Sequence, residues 1–273
     1  NFCSSNSFKK NIKCVKMKTL KVVKIGGNII DNDVELISFL KDFASLKGPK
    51  ILVHGGGKSA TKLANKMNIP VQMIDGRRVT DAETLEIVTM VYAGKINKNI
   101  VAILQSFNCN SIGFSGADGN TIIANKRPKL TIDYGFVGDV VKVNISVVNM
   151  LLNSGIVNIF SAISHDEKGQ LLNINADTIA SELAIAFSEL YTVQLYYCFE
   201  KKGVLKNIDN NDSVIEKINQ VSYQELKSSG IINEGMIPKL DNCFYALEKN
   251  VSKVCIGKSD MLFNKEFRCT TIQ

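Results

Sequence analysis

The chain has no tryptophan, two histidines and four prolines among its 273 residues. With only His54 and His165 available, histidine-based catalysis and histidine-rich metal sites have little to draw on. The seven cysteines are odd in number and scattered, and no C-x-x-C pair occurs. This pattern excludes a disulfide framework and a structural zinc site, and predicts reduced thiols in a cytoplasmic protein. No apolar run approaches the length of a membrane span, and no basic stripe is interleaved with aromatics. Neither a membrane nor a nucleic acid is therefore expected as a partner. The net charge of +7 is partly local: Lys9, Lys10, Lys13 and Lys16 fall within the first sixteen residues, which hold no acid. Removing those four leaves an ordinary +3.

What is present is a hydrophobic content of 45%, enough for a large core in one α/β domain or two lobes. Residues 1–16 read as a disordered or accessory extension, although Phe8, Ile12 and Val15 also permit a basic amphipathic helix. From Met17 onward, strand-like runs alternate with helical periods. The runs "LKVVKI", "KILVH", "NSIGFS", "GIVNIF", "TVQLYYCF" and "KVCIG" read as strands, the last closing the sheet. Helices are expected over 34–45, 80–92, 95–106, 146–153 and 178–190, and around Leu240–Leu247. The alternation predicts a mainly parallel sheet covered on both faces. Residues 120–143 read as β-hairpins forming a rim over a site.

The stretch Val53-His-Gly-Gly-Gly-Lys-Ser-Ala60 ends one strand and opens a helix. A nucleotide P-loop needs a glycine six residues before its lysine, and Leu52 stands there. An esterase oxyanion hole needs a Gly-x-Ser-x-Gly elbow; the nearest stretch, Gly113-Phe-Ser115-Gly-Ala117, ends in alanine, and His165 would have to be its base. An anion cradle survives both tests. Glycines at a strand-to-helix turn let N–H groups converge, and the helix start adds positive potential. Gly26-Gly27 forms a second such turn, and ligands of parallel sheets sit at this strand edge.

Four further residues need explanation. Lys24 ends an apolar strand, where it either meets an anion or snorkels outward. Lys239 follows Pro238 at the positive start of a helix, where a compensating anion would help. Asp177, behind the amides Asn173 and Asn175, is either a helix cap or a ligand group. Arg78 is suited to a carboxylate, with Arg77 beside it as an alternative. Two lysines, two glycine turns and no nucleophilic dyad suggest phosphoryl transfer, whose catalysis is largely positioning and charge neutralisation.

The motifs "KIGG", "HGGGKSA", "DGRRVTDAETL", "LLNINADTIA" and "GMIPK" occur in this order between about Leu20 and Ile272. In this the chain resembles the N-acetylglutamate kinases of the amino acid kinase superfamily. The resemblance implies the α/β amino acid kinase fold, an open αβα sandwich around a mainly parallel sheet, with an N-lobe over 17–190 binding an acylglutamate and a C-lobe over 191–273 binding ATP, the γ-carboxylate being phosphorylated in arginine biosynthesis. It implies that Lys24 and Lys239 stabilise the transferring group and that Asp177 orients them. Gly27, Gly56 and Gly57 would be backbone donors, and Arg78 and Asn173 would hold the substrate α-carboxylate. Glu200, Lys201, Lys202, Gly203, Val204 and Leu205, with Ile231, Ile232 and Asn233, would form the nucleotide loops. Mg²⁺ would bridge the ATP phosphates, with no protein ligand assigned.

The segment "FEKKGVL" departs from relatives that carry an aspartate before the loop glycine. Some relatives are thought to take N-succinyl-glutamate, whose extra carboxylate would want a cation; Arg77, Lys126, Arg127 and Lys129 are candidates. Hexameric, arginine-inhibited relatives carry an N-terminal helix, but the tail here lacks acidic–basic pairing. A homodimer without arginine feedback is expected. The rivals are a glutamate 5-kinase or aspartate kinase, a non-catalytic ligand sensor on the same fold, and an esterase. The "NINAD" and "GRRVT" pattern opposes the first pair, the presence of both lysines and Asp177 opposes the sensor, and no regulatory domain is expected beyond residue 273. Lys58 is a spare candidate for the phosphate-binding cation.

Overall fold

The computed structural model describes residues 17–74, 76–232, 236–264 and 266–273. The N-terminal extension and Asn233 lie outside the described residues. An eight-stranded sheet runs, from edge to edge, Lys217–Ile218, Thr270–Ile272, Lys253–Gly257, Thr192–Cys198, Thr19–Ile25, Lys50–His54, Val157–Phe160 and Ser111–Phe114. All neighbours are parallel except Lys253–Gly257 with Thr270–Ile272. "KVCIG" therefore does not close the sheet, because two short strands lie beyond it. They are too brief for a periodic signal to show.

Both faces of the sheet are covered, and the central strands alternate between the two resulting cores. Leu20 and Val22 join Ile51, Val53, Leu195 and Tyr197 in one core, beneath helices Ser146–Asn153, Ala176–Phe187 and Ile237–Glu248. Val23 and Ile25 join Leu52, Tyr196 and Cys198 in the other, beneath Asp33–Ser45 and the helical run from Ala82 to Ser106. This explains why the strands read as continuous apolar runs. It also sets the side on which Lys24 stands: two residues beyond Val22, it faces the layer containing Ala176–Phe187.

The expected helices 80–92 and 95–106 are one 25-residue helix. Its middle, Thr89–Ile96, is a π-helix, which carries the chain through Ala93-Gly94 without a break. By length and composition this helix could cross a membrane, but Leu85, Ile87, Val88, Val91, Tyr92, Ile96, Ile100 and Leu104 are buried in the core of the protein. The expected hairpin is the antiparallel pair Ile122–Lys126 and Gly138–Val143, part of a second, four-stranded sheet. Helix Gln220–Ser228 was not foreseen; its capping box is built from Asn219 and Ser222.

Lys50 shows how tightly the sheet edge is finished. It is 5% exposed, yet its Nζ donates to the carbonyls of Phe43, Ala44 and Leu46 at 2.7, 2.9 and 2.8 Å. These carbonyls close helix Asp33–Ser45, where a cation also meets the negative end of the helix. Lys50→Met leaves the three acceptors without this donor. Urea denaturation should show a loss of about 2 kcal/mol, in the range for hydrogen bonds to charged groups; an unchanged midpoint would refute this role.

Candidate active site

The strands Thr19–Ile25 and Lys50–His54 are neighbours, with Ile25 opposite His54 in register. Their following glycine turns therefore emerge side by side at the carboxyl edge of the sheet. A cleft of about 300 Å³ opens there, lined by Lys24, Gly27, Gly55, Gly56, Gly57, Arg78, Asn173 and Asp177 among others. Helices begin at Gly27, Gly57 and Ala176, so three positive helix ends face one space.

Lys24 and Asp177 line the cleft, with Lys24 Nζ 2.7 Å from Asp177 Oδ1; Lys239 is not among the lining residues but places its Nζ 2.5 Å from Asp177 Oδ2. All three side chains are about 15% exposed. Capping of helix Ala176–Phe187 falls to Asn175, whose side chain accepts from Asp177 N at 2.7 Å. Asp177 sits in the first turn, where an acid is favoured, and its carboxylate is free to bridge the lysines. The helix-cap alternative is thus overturned. Lys239 sits in the first turn of Ile237–Glu248, which carries Pro238 at its start, and Asp177 is the anion that offsets the helix end.

Burial pushes the Asp177 carboxyl upward, but the two lysine charges outweigh it and hold the group well below the ordinary carboxylate range. A depressed value means that Asp177 contributes stability above its unfolded value near pH 4 and loses it as pH falls. Burial also lowers the pKa of Lys24, offset in part by Asp177 and reinforced by Lys239.

Tyr197 supports the Asp177–Lys239 contact and was missed in the sequence. Its hydroxyl donates to the backbone oxygen of Asp177 at 3.1 Å, and its ring lies 5.2 Å from Lys239 Nζ. Burial raises its phenol pKa, keeping it a donor. The only signal was a hydroxyl in an apolar strand.

Both arginines of the sequence doublet line the cleft wall. Arg78 is buried, and its Nη2 donates to Gly57 O at 2.9 Å and Thr61 Oγ1 at 2.8 Å. Asn173 donates to Thr80 Oγ1 at 3.0 Å. Arg77 also lines the cleft, its side chain making no hydrogen bond or ion pair among the described residues. Arg127 lines it too, but Asp139 engages its guanidinium through both oxygens. Lys126 lies over the Phe136 ring, and Lys129 pairs with Asp133 at the surface. Neither lines the cleft. Lys58 is exposed, donates to Asn28 Oδ1 at 2.9 Å, and does not line this cleft either.

The expected nucleotide residues lie apart from this space. Glu200, Lys201 and Lys202 line a separate hollow with Asn211 and Lys258. Asn28 donates to Glu200, linking that hollow to the first glycine turn. A Cβ on Gly203 would stand 2.6 Å from Thr270 Oγ1, so this loop packs closely on its neighbour. Val204, Leu205 and Ile232 are buried, whereas Ile231 is exposed. The esterase constellation is not assembled: Ser115 Oγ donates to Asp118 Oδ2, and His165, its would-be base, instead accepts from Glu167 N at its Nδ1, 3.3 Å away.

A parallel sheet with a cationic, glycine-walled cleft at its carboxyl edge defines a class of phosphoryl-handling proteins. Residues 19–258 match the amino acid kinase family, and the chain belongs to that family. Within it, the chain is similar to proteins named acetylglutamate kinase. That of Cytophaga hutchinsonii is 58% identical over 247 residues, covering 90% of this chain and 94% of the relative. That of Bacteroides thetaiotaomicron is 49% identical over 247 residues, covering 90% and 96%. Among solved structures, smu.665 from Streptococcus mutans UA159 superposes with a TM-score of 0.76 at 28% identity, covering 93% of this chain and 98% of that one.

The lowered Lys24 value has a sign that kinetics can read. As pH rises, Lys24 loses its proton before an ordinary lysine, whose value is about 10.4. The basic limb of kcat/KM, which reports the free enzyme, should therefore fall below that value and shift upward in Lys24→Arg. A limb centred at or above it in the unmodified chain contradicts the assignment.

Proposed function

We propose that this chain is an ATP-dependent kinase transferring the γ-phosphoryl group of ATP to the γ-carboxylate of N-acetyl-L-glutamate, in arginine biosynthesis. The observation that carries this reading is the carboxylate of Asp177 bridging Lys24 and Lys239 at a glycine-walled cleft. The similarity to acetylglutamate kinases supports it.

The chemistry brings two anions together. A substrate oxygen attacks the γ-phosphorus while the bond to the β–γ bridging oxygen breaks, and ADP leaves with that electron pair. The nucleophile is already ionised at neutral pH, so no base is required. Lys24 and Lys239 neutralise the equatorial oxygens, and Asp177 holds their ammonium groups in place. N–H groups at Gly27, Gly56 and Gly57 add fixed dipoles where charge develops. Arg78 and Asn173 present donors for the substrate α-carboxylate. Glu200, Lys201, Lys202 and the backbone of 203–205 and 231–233 serve the nucleotide.

The cleft's lysines and helix starts fit a polyphosphate. Mg²⁺ characteristically keeps several waters and binds through phosphates. No cluster of three or more His, Cys, Asp or Glu suited to a metal exists among the described residues, and Asp177 is taken by lysines. The ATP phosphates would hold the ion, which supplies charge neutralisation there. The division into an acylglutamate lobe at 17–190 and a nucleotide lobe at 191–273, a homodimer, and residence in the cytoplasm belong to the same reading. The five cysteines of the described residues are all free, as a reducing compartment requires.

One observation favours N-succinyl-L-glutamate as a second reading: Arg77 lines the cleft, its side chain without a hydrogen-bonding or ionic partner among the described residues. The Arg127 fork, committed to Asp139, is less available for that extra carboxylate.

The test is ADP release from MgATP with N-acetyl-L-glutamate, N-succinyl-L-glutamate or free L-glutamate, the acyl phosphate being trapped by hydroxylamine. Trapped product with the acetyl substrate and none with free glutamate is expected. Lys24→Ala should lower kcat by roughly 10²–10³, while Lys58→Ala stays within about tenfold. A preference for the succinyl substrate that Arg77→Ala abolishes would establish the second reading. Product with free glutamate alone would refute both.

A further inference from the structure

His54 ends its strand immediately before the glycine turn and is completely buried. The kinase reading gives it no task. Its surroundings form a short relay. Asn97 Nδ2 lies 2.9 Å from Ile159 O and 3.1 Å from His54 Nε2, and His54 Nδ1 lies 2.9 Å from Gly55 O. A backbone carbonyl only accepts, so the Asn97 atom facing Ile159 is its NH₂ group. The second hydrogen of that group then meets Nε2, which must be the bare nitrogen. The ring proton sits on Nδ1 and is donated to Gly55 O.

The consequence reaches the cleft through the planar peptide. The chain has no cis peptide bond among the described residues, and in a trans unit C=O and the following N–H point opposite ways. Pinning Gly55 O toward the ring turns the Gly56 N–H away from the ring, and Gly55, Gly56 and Gly57 all line the cleft. Gly56 has φ 154°, and a Cβ there would stand 2.3 Å from Ile96 Cδ1 and 2.9 Å from Tyr92 Cδ1. The peptide is thus held by a hydrogen bond before it and by packing upon it.

Of the holding residues on the far side, Tyr92 and Ile96 belong to the π-helical stretch and Asn97 follows it directly. In a helix of i→i+5 pitch, residues 92 and 97 stand on one face, whereas α-helical pitch would rotate them apart. The π-segment Thr89–Ile96 lets Tyr92 and Ile96 press on Gly56 while Asn97 meets His54.

We propose that Asn97 and His54 are a positioning pair that orients the Gly55–Gly56 peptide so that the Gly56 N–H faces the reacting oxygens. Neither residue touches substrate. The role rests on the kinase reading. Burial holds the His54 pKa down to about 4, which keeps the ring neutral at working pH.

The pair has a spectroscopic signature, because His54 and His165 are the only histidines. In ¹⁵N-labelled protein carrying His165→Gln, the His54 side chain should show the Nδ1–H tautomer with a bare Nε2. Asn97→Asp replaces the donor with an acceptor and should place a proton on Nε2. It should also lower kcat by up to about a hundredfold, the scale of a small misplacement of a reacting group, while KM for ATP stays within about threefold. His54→Asn, whose amide can both donate to Gly55 O and accept from Asn97, should retain more kcat than His54→Leu.

An Nε2–H tautomer in the Asn97-containing protein overturns the relay, and this measurement does not depend on any Asn97 variant folding. Turnover of Asn97→Asp within about twofold of the parent also overturns it, as does His54→Asn no better than His54→Leu. Absence of acyl phosphate in the unmodified chain would instead remove the kinase reading, and this role with it.

Discussion

Asp177 accepts Lys24 from the middle strand of the sheet and Lys239 from a helix 62 residues further along. A carboxylate with a cation on each oxygen tolerates burial that an isolated one would not. Take it away, and two buried ammonium groups are left facing each other. The bridge therefore ties together the central strand, the helix Ala176–Phe187 and the helix Ile237–Glu248, and it leaves one net positive charge at the cleft. Tyr197 supports this arrangement from beneath, through the Asp177 carbonyl and the face of its own ring.

Around that bridge the protein works mostly with backbone. The glycine turns, the starts of three helices and the pinned Gly55 carbonyl are fixed dipoles rather than titrating groups. This suits a reaction in which no proton moves and the difficulty is repulsion between anions. It also explains the sparing use of histidine: the one nearest the cleft is buried and neutral, and it acts on a peptide carbonyl. The π-helical stretch has a comparable role, giving up regular geometry so that Tyr92, Ile96 and Asn97 reach one turn.

Much of this was legible from the residues. Apolar runs ending in glycines marked the strands and their cleft-side edge, and amphipathic spacing marked most helices. Lys24, Lys239, Asp177, Arg78 and Asn173 all stood out. The misreadings have physical causes. The helix read as ending at 92 and restarting at 95 spans Gly94, a residue that disfavours α-helix but that the π-turn absorbs. The strands beyond Lys253–Gly257 are two and three residues long, too short for an alternating pattern. Tyr92 and Tyr197 gave no signal beyond being aromatics in apolar segments.

Local chemistry alone determined the class of fold and the inventory of cations, amides and glycines, because periodicity and turn preference act over a few residues. Tertiary structure decided which alternative each residue takes. Asp177 bridges lysines because Asn175 already caps its helix. Lys24 meets an anion because strand alternation turns it toward the layer holding Asp177. Arg127 is drawn to Asp139, and Lys58 to Asn28, by partners from other segments. These choices depend on distances between residues far apart in the chain, set only when the strands take their order in the sheet.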